Sequence, residues 1–169
     1  LWEELAGGAG EGPYVQDQGE ALYRRSLYVY RKRTVHHPAM ATFDAPSREI
    51  CQVKRARTNT PLQALELLND RTYVEAAHEF ADRMIAAGTT LDERLSHGFR
   101  LATCRPPNAR ELDVLKKGFD SYKTAYQNDR EAAAQWSNAN EAGMDQVERA
   151  AYAAIASVML NLDEAITLE

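Results

Sequence analysis

The chain has 169 residues, 44% hydrophobic and 27% charged, with a formal net charge of −5. That is enough chain for one domain with a real core, and the composition suits neither a disordered polymer nor a membrane protein. The longest apolar run, Ala150 to Leu162, is cut by Ser157 and falls short of the roughly 20 residues a spanning helix needs, so no membrane insertion is expected.

Residues 1–20 read as a flexible opening segment, because Gly and Pro in AGGAGEGP (6–13) prevent a regular element. The chain opens at Leu1 without Met and closes on Leu168-Glu169, so an excised segment is expected, with the last pair (168–169) as its candidate cloning scar. Between them, 21–167 is expected to form one helical domain: a basic, loop-rich motif region over 22–60 and a bundle over 60–167.

Residues 22–31 mix Leu, Tyr and Val with Arg and lean towards helix. From Thr34 to Thr58, Pro38 and Pro46 with little periodicity predict a long loop, with Phe43, Ile50 and Val53 as apolar anchors. Loops of that length inside a domain are usually functional or disordered.

Helix signals follow in quick succession. Thr60-Pro61-Leu62-Gln63 is a capping box with Pro at the first helical position, and Leu62, Leu65 and Leu68 form the expected buried stripe. Asp70 caps a second helix carrying Tyr73, Ala77, Phe80 and Met84 and ending at Gly88. Thr90-x-x-Glu93 opens a third with Leu91, Leu95, Phe99 and Ala102 inward, stopped by Arg105-Pro106-Pro107. Asn108-x-x-Glu111 opens a fourth with Leu112, Leu115, Phe119, Tyr122 and Tyr126 on one face. An Ala-rich helix runs from Arg130 to about Asn140. After Gly143, Asp145-x-x-Glu148 caps the last, with Val147, Ala151, Ala154, Ile155, Val158, Met159 and Leu162 at core spacing. The expected fold is all-α, an irregular bundle of about five to seven helices with a long ordered N-terminal loop. Its core should set Ile155, Val158 and Leu162 against Leu65, Phe80, Phe99 and Leu115.

Charge singles out one stretch. Between Arg24 and Arg57 lie nine Lys/Arg and two acids, an excess of +7, leaving 11 basic and 23 acidic residues elsewhere. Arg24, Arg25, Arg31, Lys32 and Arg33 bracket Tyr28 and Tyr30, with Arg48, Lys54, Arg55 and Arg57 beyond. Guanidinium forks bind phosphate or carboxylate, and tyrosines can stack on bases or sugars. A pI near 5.4 argues against nucleic acid as partner, and arginines in a loop also satisfy backbone carbonyls and neighbouring acids. The second reading is the preferred one, with Asp44 as the carboxylate that collects guanidinium groups.

Three further groups bear on chemistry. His36-His37, with Met40 and Asp44 nearby, invites a metal, but adjacent residues of an extended stretch point oppositely, and solvent-exposed loop histidines are the expectation. No metal and no cofactor is expected within this segment. Cys51 sits among Arg48, Lys54 and Arg55, which would lower a thiol pKa, yet no base is announced; a buried inert thiol or a disulfide to Cys104 is the reading, with the choice between them open. The helix start at Thr58-Asn59-Thr60, with Arg55 and Arg57 upstream, is the best anion pocket in the chain. Its competing reading is a capped helix whose Asn and Thr satisfy the turn.

The wording of this stretch also carries a resemblance. YRRSLY (Tyr23–Tyr28), KRT (Lys32–Thr34), FDAPSRE-x-C (Phe43–Cys51), R-x-R-TNTPLQAL-x-LLND (Arg55–Asp70) and LNLDE ending at Glu164 resemble the C-terminal domain of large planctomycete cytochrome-c-associated proteins, a family of unknown function. The matching positions are Arg24, Arg25, Ser26, Arg33, Asp44, Arg48, Cys51, Arg55, Thr58, Asn59, Thr60, Gln63, Asn69 and Asp70; Arg57 joins them in the candidate cluster. The resemblance implies an exported or periplasmic multidomain parent, with a cytochrome-c-like segment and a second helical domain as partners, and no established activity. His36-His37 depart from the pattern, which commonly has proline or small residues there. Two functions follow as expectations. One is a non-catalytic interaction or assembly module of a redox-associated protein. The other is an enzyme half-site binding an anionic or sugar substrate through the Arg/Asp/Asn/Thr cluster.

Overall fold

The computed structural model describes residues 19–29, 36–47, 49–54, 56–137 and 145–167. Eight α-helices and two 3-10 turns make up their regular structure, with no strand among them, so the fold is all-α. The chain divides after Gln63 into two units, each with its own construction.

In the first unit, 3-10 turns at Gly19–Tyr23 and Ser26–Tyr28, separated by Arg24-Arg25, take up most of 22–29, the described part of 22–31. The predicted loop is interrupted by a short helix, α1 (Pro38–Thr42), opened by Pro38 at its first turn, where the missing N–H costs nothing. Helix α2 (Pro61–Asn69) begins in this unit and carries the chain across the division. The opening segment and the closing pair 168–169 lie outside the described residues.

The second unit is a bundle built on α7 (Gln146–Leu160). Every residue from Ala150 to Ser157 is buried, as expected of a helix apolar on all sides. The run AAYAAIAS explains why: alanine removes the bulk that would hold neighbours off, so α7 packs against α3 (Arg71–Ala86), α4 (Leu91–Thr103), α5 (Ala109–Asn128), α6 (Arg130–Trp136) and α8 (Asp163–Ile166). Phe80, Met84, Leu95, Phe99, Leu115 and Phe119 fill the space around Tyr152, Ile155 and Met159. Gly98 serves close approach of α3 and α4: a Cβ there would lie 2.7 Å from the Met84 sulfur.

The helix boundaries follow local chemistry. The Thr90 and Asn108 capping boxes are complete, with Glu93 and Glu111 reaching back to the cap N–H groups. Asp70 accepts from Thr72 N at 2.9 Å and starts α3. Asp145 stands at the N-cap of α7 but its side chain makes no cap hydrogen bond, unlike the box expected there. Helix α6 is described to Trp136; Gly143 and the rest of 138–144 lie outside the described residues.

One core expectation is corrected. Leu62, Leu65 and Leu68 are exposed, Leu65 at 58%, so Leu65 takes no part in the core with Ile155. A helix can carry an apolar stripe that the described residues leave largely exposed. Val158 and Leu162 are half-buried rather than buried.

Candidate functional site

The motif residues that the structure brings together are Asp44, Thr58, Thr60 and Gln63. Helix α1 ends in a Schellman turn: Ala45 N donates to Met40 O at 2.8 Å and Asp44 N to Ala41 O at 3.3 Å. That geometry needs a left-handed residue, and Asp44 takes it with φ of 58°; Asp tolerates this region better than most side-chain-bearing residues. The turn aims the Asp44 carboxylate at Thr58, fourteen residues on, which donates its N–H at 2.7 Å and its hydroxyl at 2.9 Å.

Gln63 closes the other side. Its Oε1 accepts from Thr60 N at 2.9 Å while its own N–H donates to Thr60 Oγ1, the expected capping box. Its Nε2 then donates to Thr42 O at 2.9 Å and to Thr58 Oγ1 at 3.1 Å. The residue is 1% exposed, and all three hydrogen-bonding positions of its amide are engaged. Thr42 in turn donates from its hydroxyl to Pro38 O. The result is a clasp that joins the end of α1, the loop before α2 and the start of α2.

Arginine is not what organises the clasp among the described residues. Both Asp44 oxygens accept from Thr58, and no described arginine pairs with it; Arg33, Arg48 and Arg55, three of the five arginines expected around it, lie outside the described residues. Arg24 and Arg25 sit in irregular backbone between the 3-10 turns, exposed, as are Ser26 and Arg57. Cys51 and Cys104 are both free and exposed, so neither a buried thiol nor a disulfide is found; Cys104 is spent on a left-handed helix end at φ 60°. Asn59 is exposed, Asn69 Nδ2 donates to Leu65 O at 2.7 Å, and Asp70 is the α3 cap. His36 and His37 are half-buried rather than solvent-exposed. Ile50 and Val53, expected as loop anchors, point outward, whereas Phe43 is half-buried.

The second unit holds a charged node that reading along the chain did not single out. Arg105 lies between two carboxylates, bonded to Glu111 at 2.7 and 2.9 Å and to Glu164 at 2.7 and 2.8 Å, with its guanidinium 4.9 Å from the Phe99 ring centroid. Glu111 also accepts from Asn108 N. The Arg105 hydrogen bonds, with that from Asn108, hold the Glu111 carboxyl down at about 2, and Arg105 likewise lowers Glu164. The signals were present as Arg105-Pro106-Pro107 and LNLDE, but read only as a helix stop and a motif end. A second pair, Arg149 to Asp82 at 2.7 and 2.9 Å, ties α7 to α3. Beside it His78 packs on Trp136, and burial lowers its pKa. Among the described residues no three His, Cys, Asp or Glu side chains come together to hold a metal ion, and no helix is long and apolar enough to cross a membrane.

The family model described as Protein of unknown function (DUF1553), PSD1, matches residues 4–119, most of the chain. Neither the curated proteins nor the solved structures provide a match. This protein belongs to the DUF1553 family.

Proposed function

We propose that this chain is a non-catalytic assembly module of a larger, exported, redox-associated protein, and that its motif region docks neighbouring domains of that parent. The observation that carries the reading is the clasp. Asp44, Thr58, Thr60 and Gln63 are the polar motif groups best suited to grip a substrate, and each is hydrogen-bonded to another part of the same unit. A half-site enzyme would need them directed at a ligand. What the chain leaves exposed instead is apolar on α2, at Leu62, Leu65 and Leu68, and, separately in the first unit, cationic at Arg24, Arg25 and Arg57. An exposed leucine stripe on a helix is a surface that association would remove from water. The cytochrome-c-like and second helical domains suggested by the sequence resemblance are the proposed partners.

The test is association. The remaining domains of the parent polypeptide, expressed separately, are titrated with this chain by calorimetry, using wild type and Leu65→Asp. Binding that is lost in the variant, with an unchanged melting curve, is the expected outcome. A wild-type chain that binds none of them would overturn the reading.

A further inference from the structure

Helix α6 is held more lightly than its neighbours. Its sequence, REAAAQW, offers one large apolar side chain, Trp136, and its seven residues are too few for a helix to persist in water unaided. It packs on α5 and α7 over a small core of Ala133, Val147 and Ala150, whose buried residues are distinct from those around Tyr152 and Ile155. Towards α3, Trp136 meets the imidazole of His78, the ring centroids 5.5 Å apart and the planes tilted by 49°. Both side chains are half-buried.

We infer that α6 is a pH-sensitive element of the bundle: protonation of His78 loosens the Trp136 contact and frees α6, while α7 and the other helices around it stay folded. The charges near His78 decide the sign. Its own helix contributes Glu75, Glu79 and Asp82, and α7 contributes Arg149. Asp82, one turn along, would be the natural partner of an imidazolium, but both its oxygens accept from Arg149, at 2.7 and 2.9 Å. Glu75 accepts from Arg71, and Glu79 is exposed, where water and salt screen it. The charged residues of α6, Arg130 and Glu131, stand at the opposite end from Trp136, and burial keeps Tyr126 of α5 neutral. A positive charge on His78 would have to share Asp82 with the Arg149 guanidinium. Burial lowers the His78 pKa below its ordinary 6.5; Asp82 opposes that shift and Arg149 adds to it. A histidine lowered in the docked state takes up its proton more readily once released. Docking is therefore fully favoured above pH 6.5 and loses ground as pH falls below it. The buried residues of the α7 core include no histidine and no carboxylate, so acid in this range acts on α6 first.

The experiment is amide hydrogen exchange on the whole 169-residue chain between pH 7 and pH 5.5, each rate divided by its intrinsic value. Ala133, whose N–H donates to Asp129 O at 3.1 Å, reports on α6, and Ala153 on the middle of α7. Protection at Ala133 should fall about threefold or more over that range, since one proton allows at most about tenfold per pH unit, while protection at Ala153 stays constant. His78→Gln and His78→Phe take up no proton and should abolish the pH dependence at Ala133, whereas His97→Gln should keep it. The phenylalanine variant retains a ring against Trp136 and decides the matter should the glutamine variant fail to fold. Protection at Ala133 that holds steady on acidification would overturn the inference, as would a rise, the mark of an imidazolium held on the indole face. An equal fall in the folded His78 variants, or a parallel fall at Ala153, would overturn it too, the first removing His78 as the cause and the second making the transition global.

Discussion

Replacing Gln63 by Ala removes three side-chain hydrogen bonds at once: the two donated by Nε2, to Thr42 O and Thr58 Oγ1, and the one accepted from Thr60 N. Each is worth about 1 kcal/mol net, and a buried group left unsatisfied costs about 1–3 kcal/mol. Water can reach Thr58, which is exposed, more readily than Thr60, which is half-buried. The expected loss is therefore about 3 kcal/mol of local stability, or roughly a 150-fold rise in the opening of the clasp. The amide of Thr58 is the informative probe. It donates to Asp44 rather than to Gln63, so its hydrogen exchange accelerates only if the clasp opens as a unit. Exchange at Thr58 and at Ala45, whose N–H closes the Schellman turn, should rise together by two orders of magnitude. If only Thr60 exchanges faster, Gln63 is a simple helix cap and the clasp is not cooperative.

Three further outcomes follow from the second unit. Ile155→Asp places an unpaired charge at a position 2% exposed, a cost on the order of the whole stability, so the α7 bundle should lose its cooperative melting transition in calorimetry. Gly98→Ala drives a methyl group against the fully buried Met84 side chain and should destabilise by about 1–3 kcal/mol in urea titration; an unchanged midpoint would mean that Met84 relocates freely. Glu111 and Glu164 have carboxyl groups lowered by Arg105, so their contribution is complete above the ordinary carboxylate range, near 4.5; it is lost as pH falls below that range, for Glu111 towards about 2. Arg105→Gln should flatten the acid limb of a melting-temperature profile between those values, and an identical limb in the variant would sink the assignment.

Much of the helical architecture was legible because its causes are local. The boxes at Thr60, Thr90 and Asn108 each close within three residues, and the stripes on α3, α4, α5 and α7 repeat at helical spacing, so neighbours in sequence carried the whole signal. The candidate site was legible only as a list of residues. Its bonds join Asp44 to Thr58 across fourteen positions and Gln63 to Thr42 across twenty-one, and Arg105 reaches Glu164 across fifty-nine. Nothing in the spacing distinguishes those partners from the arginines nearby. The same limit explains Leu62, Leu65 and Leu68. Periodicity says that a helix has an apolar face, and only the packing of the folded chain decides whether that face is covered. On α7 it is, because alanine lets five helices approach; on α2 the three leucines remain in water.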